Sequence, residues 1–380
     1  MKKQLFYLSV ILLIAMSSCS KKDGINGKDA LHPVDPLGKA GPGTLVTLKS
    51  GAVVEKKGDN YYWGGDILLS STQLKALDET GSFFTKQPTY LGPDTTINPV
   101  FNIPMKSGPN NQAVPRAFSQ YPTSYNMWAM VRFTYDANLP DWLKTEIGSV
   151  LTQIQNESNV RFYNATGQPT VDPTYGFAYP YVDFYYAGSV DVSDSYVGRQ
   201  GGMQKINLAD FVQFQPEAII HEICHAIGMF HEAQRPDRDT YVTINTANLK
   251  PSGAAQFSKI TTNYYELGTY DFNSVMGYYS FTSGVNGAST VVYDVNQPMY
   301  TKKDGTYINQ GFDLSTLDKS WINTFYIPYI ARSDVYSELA ATVYKPDGTV
   351  MTTQERLSLQ AQLNNGNSTP PNCCRLTNTF

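Results

Sequence analysis

Three of the four histidines in the chain lie in one short run, HEICHAIGMFH at residues 221–231. Two histidines four residues apart on a helix project from the same face, so His221 and His225 can bind one ion. Gly228 can adopt the left-handed conformation that ends a helix, and the chain can then turn and bring His231 to the same ion. The spacing therefore predicts a site built from three imidazoles.

Three neutral imidazoles and one open position are what a catalytic zinc site requires, because the open position holds water. Zinc lowers the pKa of such water to about 7. Glu222 lies beside the first ligand, where it can accept the proton of that water and pass it to a leaving amine. We therefore expect one Zn2+ per chain and a hydrolase acting on protein or peptide substrates. The alternative is a core helix with hydrogen-bonded histidines, which the five fixed positions of the pattern make rare by chance.

Two neighbouring segments extend the pattern. The run HExxHxxGxxHE is followed by RPDRDTYV at 235–242, and YDFNSVMGY occupies 270–278. Together they resemble the zinc-binding run and the Met-turn of the astacin family of metzincins, although the family usually has histidine where this chain has Gly277. The resemblance implies that Met276 forms an apolar floor beneath the zinc, and that Tyr278 is an additional ligand that swings away to stabilise the oxyanion. The alternative is that these are ordinary core and surface residues.

The resemblance covers about residues 117–327 and implies an α+β catalytic domain with two lobes, split by a cleft with the zinc helix at its floor. The sequence VGRQGGMQ at 197–204 matches the family's glycine-rich approach to its edge strand. We therefore expect residues 204–209 to form that edge and an extended substrate to pair with it. Gly311 lies in a segment that shapes the primed-side pocket of relatives. It carries no charge, so we expect no strong acidic preference there.

Periodicity predicts the elements that must position these residues. After Pro140-Asp141, one apolar stripe of a helix is formed by Leu143, Ile147, Val150, Leu151 and Ile154. Further helices are predicted from Pro216 to about Met229 and from Leu314 to Phe325. Strands are predicted at 129–135, 160–163, 182–187 and 204–209. Beyond Tyr326 the sequence shows no clear pattern.

The sequence WGGDI at 63–67 resembles the propeptide motif of the family, aromatic-x-Gly-Asp, known as the aspartate switch. A carboxylate can displace the water of a zinc site and block catalysis. The two glycines would let the backbone approach the cleft closely. The resemblance therefore implies that Asp66 is a zinc ligand in the zymogen only. The alternative is an ordinary turn.

The turn-rich stretch MKSGPNNQAVPR at 105–116 predicts an exposed junction, and we place the activating cut after Arg116. The cut would free Ala117 and makes an activating protease a partner. In the family the new amino group is joined through water to the glutamate after the third histidine, here Glu232. Glu232 could otherwise be a surface acid.

The N-terminus predicts export. Lys2 and Lys3 precede an apolar run of about 12 residues, too short to span a bilayer, which needs about 20. The small residues before Cys19 resemble a bacterial lipobox, which implies a lipidated Cys19 and a membrane anchor. The alternative is an ordinary signal cut nearby. We expect a secreted or cell-surface or outer-membrane lipoprotein of a bacterium, divided into a signal peptide (1–18), a tether (19–43), a propeptide (44–116), a catalytic domain (117–327) and a C-terminal extension (328–380).

The remaining composition excludes some classes of protein. The net charge of −4, without a long basic run, gives no support for nucleic-acid binding. Apart from Cys19, three cysteines do not make a disulfide framework, nor the two disulfides typical of astacin domains. We expect Cys224 to be buried, while Cys373 and Cys374 could bridge each other or one could reach Cys224.

Three other functions stay open at this point. One is a surface lipoprotein whose zinc site is structural and serves as a binding module, although structural zinc sites are normally closed. Another is a protease of a different metzincin branch. The third is a glycosidase or adhesin, which rests only on the 27 tyrosines.

Overall fold

The computed structural model describes residues 43–83, 97–98, 103–107, 113–115, 128–173, 176, 178–190, 192–260, 268–282, 290–334 and 336–380. For residues 97–98, 103–107 and 113–115 only the backbone is described. The predicted signal peptide, Cys19, almost all of the tether, and the predicted cut between Arg116 and Ala117 lie outside the described residues.

The N-terminal segment folds as an antiparallel meander followed by a helix. Its elements are β1 (Thr44–Thr47), β2 (Val53–Lys57), β3 (Asn60–Trp63), β4 (Ile67–Leu68) and α1 (Ser71–Thr80). A capping box starts α1, because Ser70 Oγ accepts from the Gln73 amide and Gln73 Oε1 accepts from the Ser70 amide, both at 3.2 Å. The short strands β5 (Ile97–Asn98), β6 (Ile103–Ser107) and β7 (Ala113–Pro115) follow and pair with one another.

The rest of the chain alternates strands and helices. The elements are β8 (Val131–Tyr135), α2 (Asp141–Glu157), β9 (Phe162–Asn164), β10 (Tyr181–Gly188), β11 (Asp194–Tyr196), β12 (Met203–Ala209), α3 (Glu217–Ala226), β13 (Val242–Ile244), α4 (Pro251–Gln256), β14 (Tyr300–Lys302), α5 (Thr316–Phe325) and α6 (Thr353–Leu363). The predicted apolar stripe of α2 is buried in full. Helix α3 ends at Ala226, three residues earlier than expected, because the chain turns at Gly228, whose φ is 110°.

Nine strands of the described residues form one sheet in the order β1-β2-β3-β4-β11-β12-β10-β8-β9. Strands β12, β10, β8 and β9 are parallel, and β11 is antiparallel to β12. The N-terminal segment joins this sheet through β4, which pairs in parallel with β11.

The expectation that residues 204–209 form the edge strand is wrong. They lie in β12, between β10 and β11, and β11 is the outermost strand of the catalytic part. Two adjacent antiparallel strands look alike in sequence, and only their pairing partners decide which of them lies outside.

The two larger of three clusters of buried hydrophobic residues fit the expected α+β domain with two lobes. The larger core packs α2 and α3 against the sheet. The smaller core surrounds β13 and β14 and includes the fully buried Tyr300. The zinc helix α3 contributes Ile219, Ile220 and Ile223 to the larger core, while Tyr278 packs against the smaller one. The run between the end of α3 and Tyr278 therefore connects the two lobes.

The C-terminal extension, for which the sequence showed no pattern, packs against the catalytic domain. Phe380 lies 5.8 Å from Phe133, measured between ring centroids. The side-chain amide of Asn378 donates to the Phe162 carbonyl at 2.6 Å and accepts from the Asn164 backbone amide at 2.8 Å. These bonds cap the outer edge of β9 in the way that a paired strand would.

The cysteines of the described residues are free. Cys224 is completely buried in the larger core, as expected. Cys373 and Cys374 lie in the C-terminal extension with their sulfur atoms 2.6 Å apart. Among the helices of the described residues, none is both long and apolar enough to cross a bilayer.

Candidate metal centre

Helix α3 and the turn after it bring the three predicted imidazoles together. The Nε2 atom of His231 lies 3.1 Å from Nε2 of His221 and 3.1 Å from Nε2 of His225. His221 is 6% exposed and the other two are fully buried. Gly228 makes this convergence possible, because its positive φ lets the backbone reverse directly after the helix.

The opposite nitrogen of two of the rings has a partner that fixes the tautomer. His221 Nδ1 lies 2.8 Å from the Val275 carbonyl, and His225 Nδ1 lies 2.8 Å from the Met229 carbonyl. Carbonyl oxygens only accept hydrogen bonds, so both Nδ1 atoms carry protons and both Nε2 lone pairs are free. Burial lowers the pKa of His225 to about 4, which favours the neutral ligand form. Such partners orient imidazoles toward a metal.

Asp66 completes the cluster from the N-terminal segment. Its Oδ1 lies 3.2 Å from His231 Nε2 and 3.7 Å from His225 Nε2, and its Oδ2 lies 3.4 Å from His221 Nε2. Burial would raise the pKa of the Asp66 carboxyl, but the surrounding imidazoles hold it well below its usual range. Oδ1 is buried without a hydrogen-bond donor. One nitrogen from each of the three imidazoles and a carboxylate oxygen lie close enough together to bind one ion, and this set fits Zn2+.

Two glycines allow the N-terminal segment to approach so closely. Gly64 and Gly65 have φ values of 66° and 106°. A Cβ on Gly64 would lie 2.2 Å from Gln234 Nε2 and 3.2 Å from His231 Nδ1. A Cβ on Gly65 would lie 3.2 Å from Gln256 Nε2. No side chain fits at Gly64 unless the buried Gln234 moves.

Aromatic packing and backbone pairing hold the same segment in the cleft. Trp63 packs edge-on against Phe83 at 5.3 Å, and Phe83 contacts Phe230 of the catalytic domain at 5.1 Å. The Ser195 amide in β11 donates to the Asp66 carbonyl at 3.2 Å. The buried side-chain amide of Gln73 donates to the carbonyl of Val197 at 3.0 Å. The segment therefore lies along the outer edge of β11.

Glu222 lies next to His221 on α3 and is 3% exposed. Its pKa is raised well above its usual range by burial and by the nearby carboxylates of Asp66 and Asp194. One of its carboxyl oxygens, Oε2, is buried without a hydrogen-bond partner. A buried carboxyl group with an unused oxygen beside a metal site is suited to exchange a proton with a water or a substrate.

Tyr278 is not among the atoms that converge on the cluster. Its hydroxyl lies 2.7 Å from His231 Nδ1, the ring nitrogen that faces away from the other histidines, and it donates to the Gly64 carbonyl at 2.8 Å. While the N-terminal segment is in place, Asp66 therefore contacts the imidazole Nε2 atoms and Tyr278 does not. Met276 is 1% exposed and its carbonyl accepts from the Glu232 amide at 3.0 Å.

Glu232 is largely enclosed and is not a surface acid. Its Oε2 accepts from the Asp271 amide at 3.1 Å and lies 3.7 Å from Arg235 Nε. Burial raises the pKa of Glu232 to about 8, although the Arg235 charge opposes the shift. The Ala117 amino group expected beside it lies outside the described residues.

The structure adds supporting residues that the sequence reasoning missed. Gln310 Nε2 donates to the Val275 carbonyl at 2.9 Å, the same oxygen that orients His221. Asp318, which starts α5 in a capping box with Ser315, accepts from the Val275 amide at 3.1 Å. The Ser-x-x-Asp spacing before a helix was a visible signal for this cap. Nothing in the sequence indicated the bond made by Gln310.

Gly311 allows the chain to pass directly over the Met-turn. A Cβ at this position would lie 2.1 Å from the Asn273 carbonyl oxygen. The absence of a side chain at Gly311 is therefore a requirement of the backbone packing, and any larger residue would displace this segment.

Comparison with known proteins relates this site to a family of proteases. The family model for astacin, a family of peptidases, matches residues 120–327. The chain is 29% identical over 208 residues to zinc metalloproteinase nas-14 of Caenorhabditis elegans, covering 54% of this chain and 38% of the relative. It is 42% identical over 112 residues to zinc metalloproteinase nas-13 of the same organism, covering 29% of this chain and 25% of the relative.

A solved structure of high choriolytic enzyme 1, a hatching enzyme zinc-protease from the medaka fish Oryzias latipes, is 24% identical with a TM-score of 0.42, covering 51% of this chain and 88% of that chain. The chain spans less than half the length of the nematode relatives named above. The family model, however, covers more than half of the 380 residues, including all three histidines and the Met-turn. The chain belongs to the astacin family of peptidases.

Proposed function

We propose that the protein is a zinc-dependent endopeptidase made as an inhibited precursor. The observation that carries the proposal is the position of Asp66, whose carboxylate reaches all three imidazole Nε2 atoms beside the buried Glu222. His221, His225 and His231 would hold the zinc ion. When bound, zinc supplies a Lewis acid that polarises a peptide carbonyl and acidifies water.

The residues of the chain would then manage the proton and the substrate. Glu222 takes a proton from the attacking water on its carboxyl oxygen and delivers it to the nitrogen of the leaving amine. Tyr278 loses its acceptor when the Gly64 carbonyl departs, so its phenol is free to donate to the oxyanion. The outer edge of β11 loses β4, and an extended substrate can pair with the exposed backbone groups of residues 194–196.

The N-terminal segment is the proposed lock. It fills the position of the substrate along β11 and places Asp66 where water would lie. Cleavage after Arg116 by an activating protease would separate this segment from the catalytic domain, and Ala117 would then join Glu232 through water. The enclosed position of Glu232, which the Asp271 amide and Arg235 reach from one side, supports this assignment.

The test compares precursor and cut protein. We expect the purified precursor to be inactive on casein, and active after limited trypsin treatment followed by trypsin inhibition. Activity should vanish with a zinc chelator and in the Glu222→Ala variant. Asp66→Ala should activate the uncut precursor only in part, because β4 still lies along β11. Asp59→Ala, which removes an exposed carboxylate of the same segment, should leave it inactive. A correctly cut, zinc-loaded protein without chelator-sensitive cleavage would favour the binding-module alternative.

We further propose export and anchoring through a lipidated Cys19, and a bacterial source. The short apolar run and the lipobox-like residues support this, whereas the relatives named above come from nematodes and a fish. Labelling of expressing bacteria with radioactive palmitate tests the anchor. We expect incorporation into the protein and none into Cys19→Ala, and equal labelling of both would refute the assignment.

A further inference from the structure

A groove of about 690 Å3 lies between β8, β9 and the C-terminal extension. We call it the Arg132 groove, after the cation at one of its walls. Strand β8 is three strands away from β11 in the sheet order, which corresponds to roughly 14 Å at the usual strand spacing. The groove is therefore separate from the catalytic cleft. Its volume is within the range of ligand-binding sites.

Arg132 lies beside two aromatic rings. Its guanidinium carbon lies 4.6 Å from the centre of the Tyr179 ring and 5.8 Å from that of the Tyr163 ring. Nη2 donates to the Pro169 carbonyl at 2.9 Å. Cation–π contacts of this kind leave the remaining N–H groups of a guanidinium available for an acceptor.

Among the described residues of the groove, Arg132 is the charged side chain that has no ion-pair partner. Arg332 binds both oxygens of Asp334, at 2.7 and 2.8 Å. Glu338 is bound by Arg332 and also by Arg375, whose Nε lies 3.0 Å from Oε2. Two carboxylates are thus neutralised by two guanidiniums. None of the ion pairs formed within the described part of the chain involves Arg132.

The described walls combine apolar residues with polar groups, several of which are already hydrogen-bonded. Apolar wall residues include Met130, Pro169, Ile330 and Leu376. The Tyr163 hydroxyl is bonded to Gln168, and the Tyr179 hydroxyl donates to Asp172. Within the described walls, apolar residues beside one guanidinium that has no carboxylate partner complement a carboxylate between apolar side chains.

We propose that the Arg132 groove is an exosite that binds an extended peptide segment in which an acidic residue stands between apolar ones. Arg132 binds the carboxylate, and the apolar walls take the neighbouring side chains. This binding requires no catalytic step, so it can be tested even if the proposed proteolysis is wrong. The groove would bind a part of the substrate distant from the bond that is cut. The proposal therefore does not conflict with the expectation that the pocket near Gly311 has no strong acidic preference.

The test uses the full chain carrying Glu222→Ala and a capped eight-residue peptide of alternating leucine and glutamate, labelled with a neutral coumarin. We expect saturable binding by fluorescence anisotropy that weakens with salt. Arg132→Gln should weaken it about ten- to hundredfold, the range for hydrogen bonds between charged groups. Arg132→Lys should recover part of the loss. Lys302→Gln is the matched control, because Lys302 also stacks on an aromatic ring at 4.6 Å but lies in the other lobe.

A second peptide with glutamine in place of glutamate completes a double-mutant cycle. We expect it to bind weakly and to be insensitive to Arg132→Gln. Circular dichroism checks that each variant is folded. Equal binding of both peptides, or equal binding by folded Arg132→Gln and the parent, would overturn the proposal. Arg132-dependent binding of an oligogalacturonate without binding of the peptide would also overturn it, in favour of an acidic sugar.

Discussion

The proposed lock can be opened at Gly64 without replacing a metal ligand, although the added Cβ would also lie 3.2 Å from His231 Nδ1. Gly64 has a φ of 66°, and an added Cβ would lie 2.2 Å from Gln234 Nε2. Gln234 is fully buried, so its amide has no solvent into which it could move. The Gly64→Ala variant should therefore displace the segment that carries Asp66, although Asp66 itself is unchanged.

The expected degree of activation follows from comparison with a control substitution at Gly58 in the same segment. Gly58 has a φ of 59°, and a Cβ there would meet nothing within 4 Å. Alanine at either position has the left-handed backbone cost of about 1–2 kcal/mol. Only Gly64→Ala adds the overpacking of a buried contact, which typically costs about 1–3 kcal/mol. Since about 1.4 kcal/mol corresponds to a factor of ten, we expect the open fraction of the Gly64→Ala precursor to exceed that of Gly58→Ala roughly 5- to 150-fold.

The assay measures cleavage of a quenched-fluorescent peptide by zinc-loaded precursors that intact-mass spectrometry shows to be uncut. Rates are expressed relative to the cut wild-type enzyme. The double variant Gly64→Ala, Glu222→Ala should be inactive, which assigns the activity to this site. A folded, uncut Gly64→Ala precursor that is as inactive as the wild type would refute the reasoning. Equal activation by Gly58→Ala would show that loss of fold in the segment, and not the contact with Gln234, opens the site.

Three further outcomes test other parts of the site. Glu222→Gln should lower kcat of the activated enzyme by about 10²- to 10⁴-fold while the zinc content, measured by mass spectrometry, stays at one per chain. Trp63→Ala should remove the ring that packs on Phe83, which in turn packs on Phe230. Because a core truncation of this kind costs about 3–5 kcal/mol, trypsin should activate this precursor faster than the wild type. An unchanged activation rate would contradict the anchoring role of Trp63. Gln310→Ala should weaken zinc binding about 10- to 100-fold in competition with a chelator, because the carbonyl that orients His221 loses a donor.

The local features of the site could be predicted from sequence because they depend on short-range geometry. His221 and His225 share a helix face whatever the rest of the fold does. Gly228 can take its positive φ because glycine has no Cβ, and the position of a glycine is visible in the sequence. The apolar stripe of α2 became buried for a similar reason, since helical periodicity alone places it on one face. Asp66 was identified differently, through the resemblance of WGGDI at 63–67 to the aspartate switch of the family.

Other features depend on pairings between residues far apart in the chain. The sequence did not show that β11 lies outside β12, nor that β4 pairs with β11, because strand order follows from long-range hydrogen bonds. It did not indicate that the C-terminal extension packs on the catalytic domain. The bond from Gln310 to the Val275 carbonyl was also invisible, since amide side chains bond to many partners and only the fold selects one.

The sequence by itself therefore determined which residues could form the metal site and the proposed base, because each depends on residue types at fixed short spacings. The proposed lock followed from the resemblance of WGGDI to a family motif. Only the tertiary structure decided where the N-terminal segment lies, which atom of His231 Tyr278 contacts, and which charge has no ion-pair partner among the described residues of the groove. Arg132 is one of many arginines in sequence. It differs from Arg332 only because folding brings carboxylates to one guanidinium and tyrosine rings to the other.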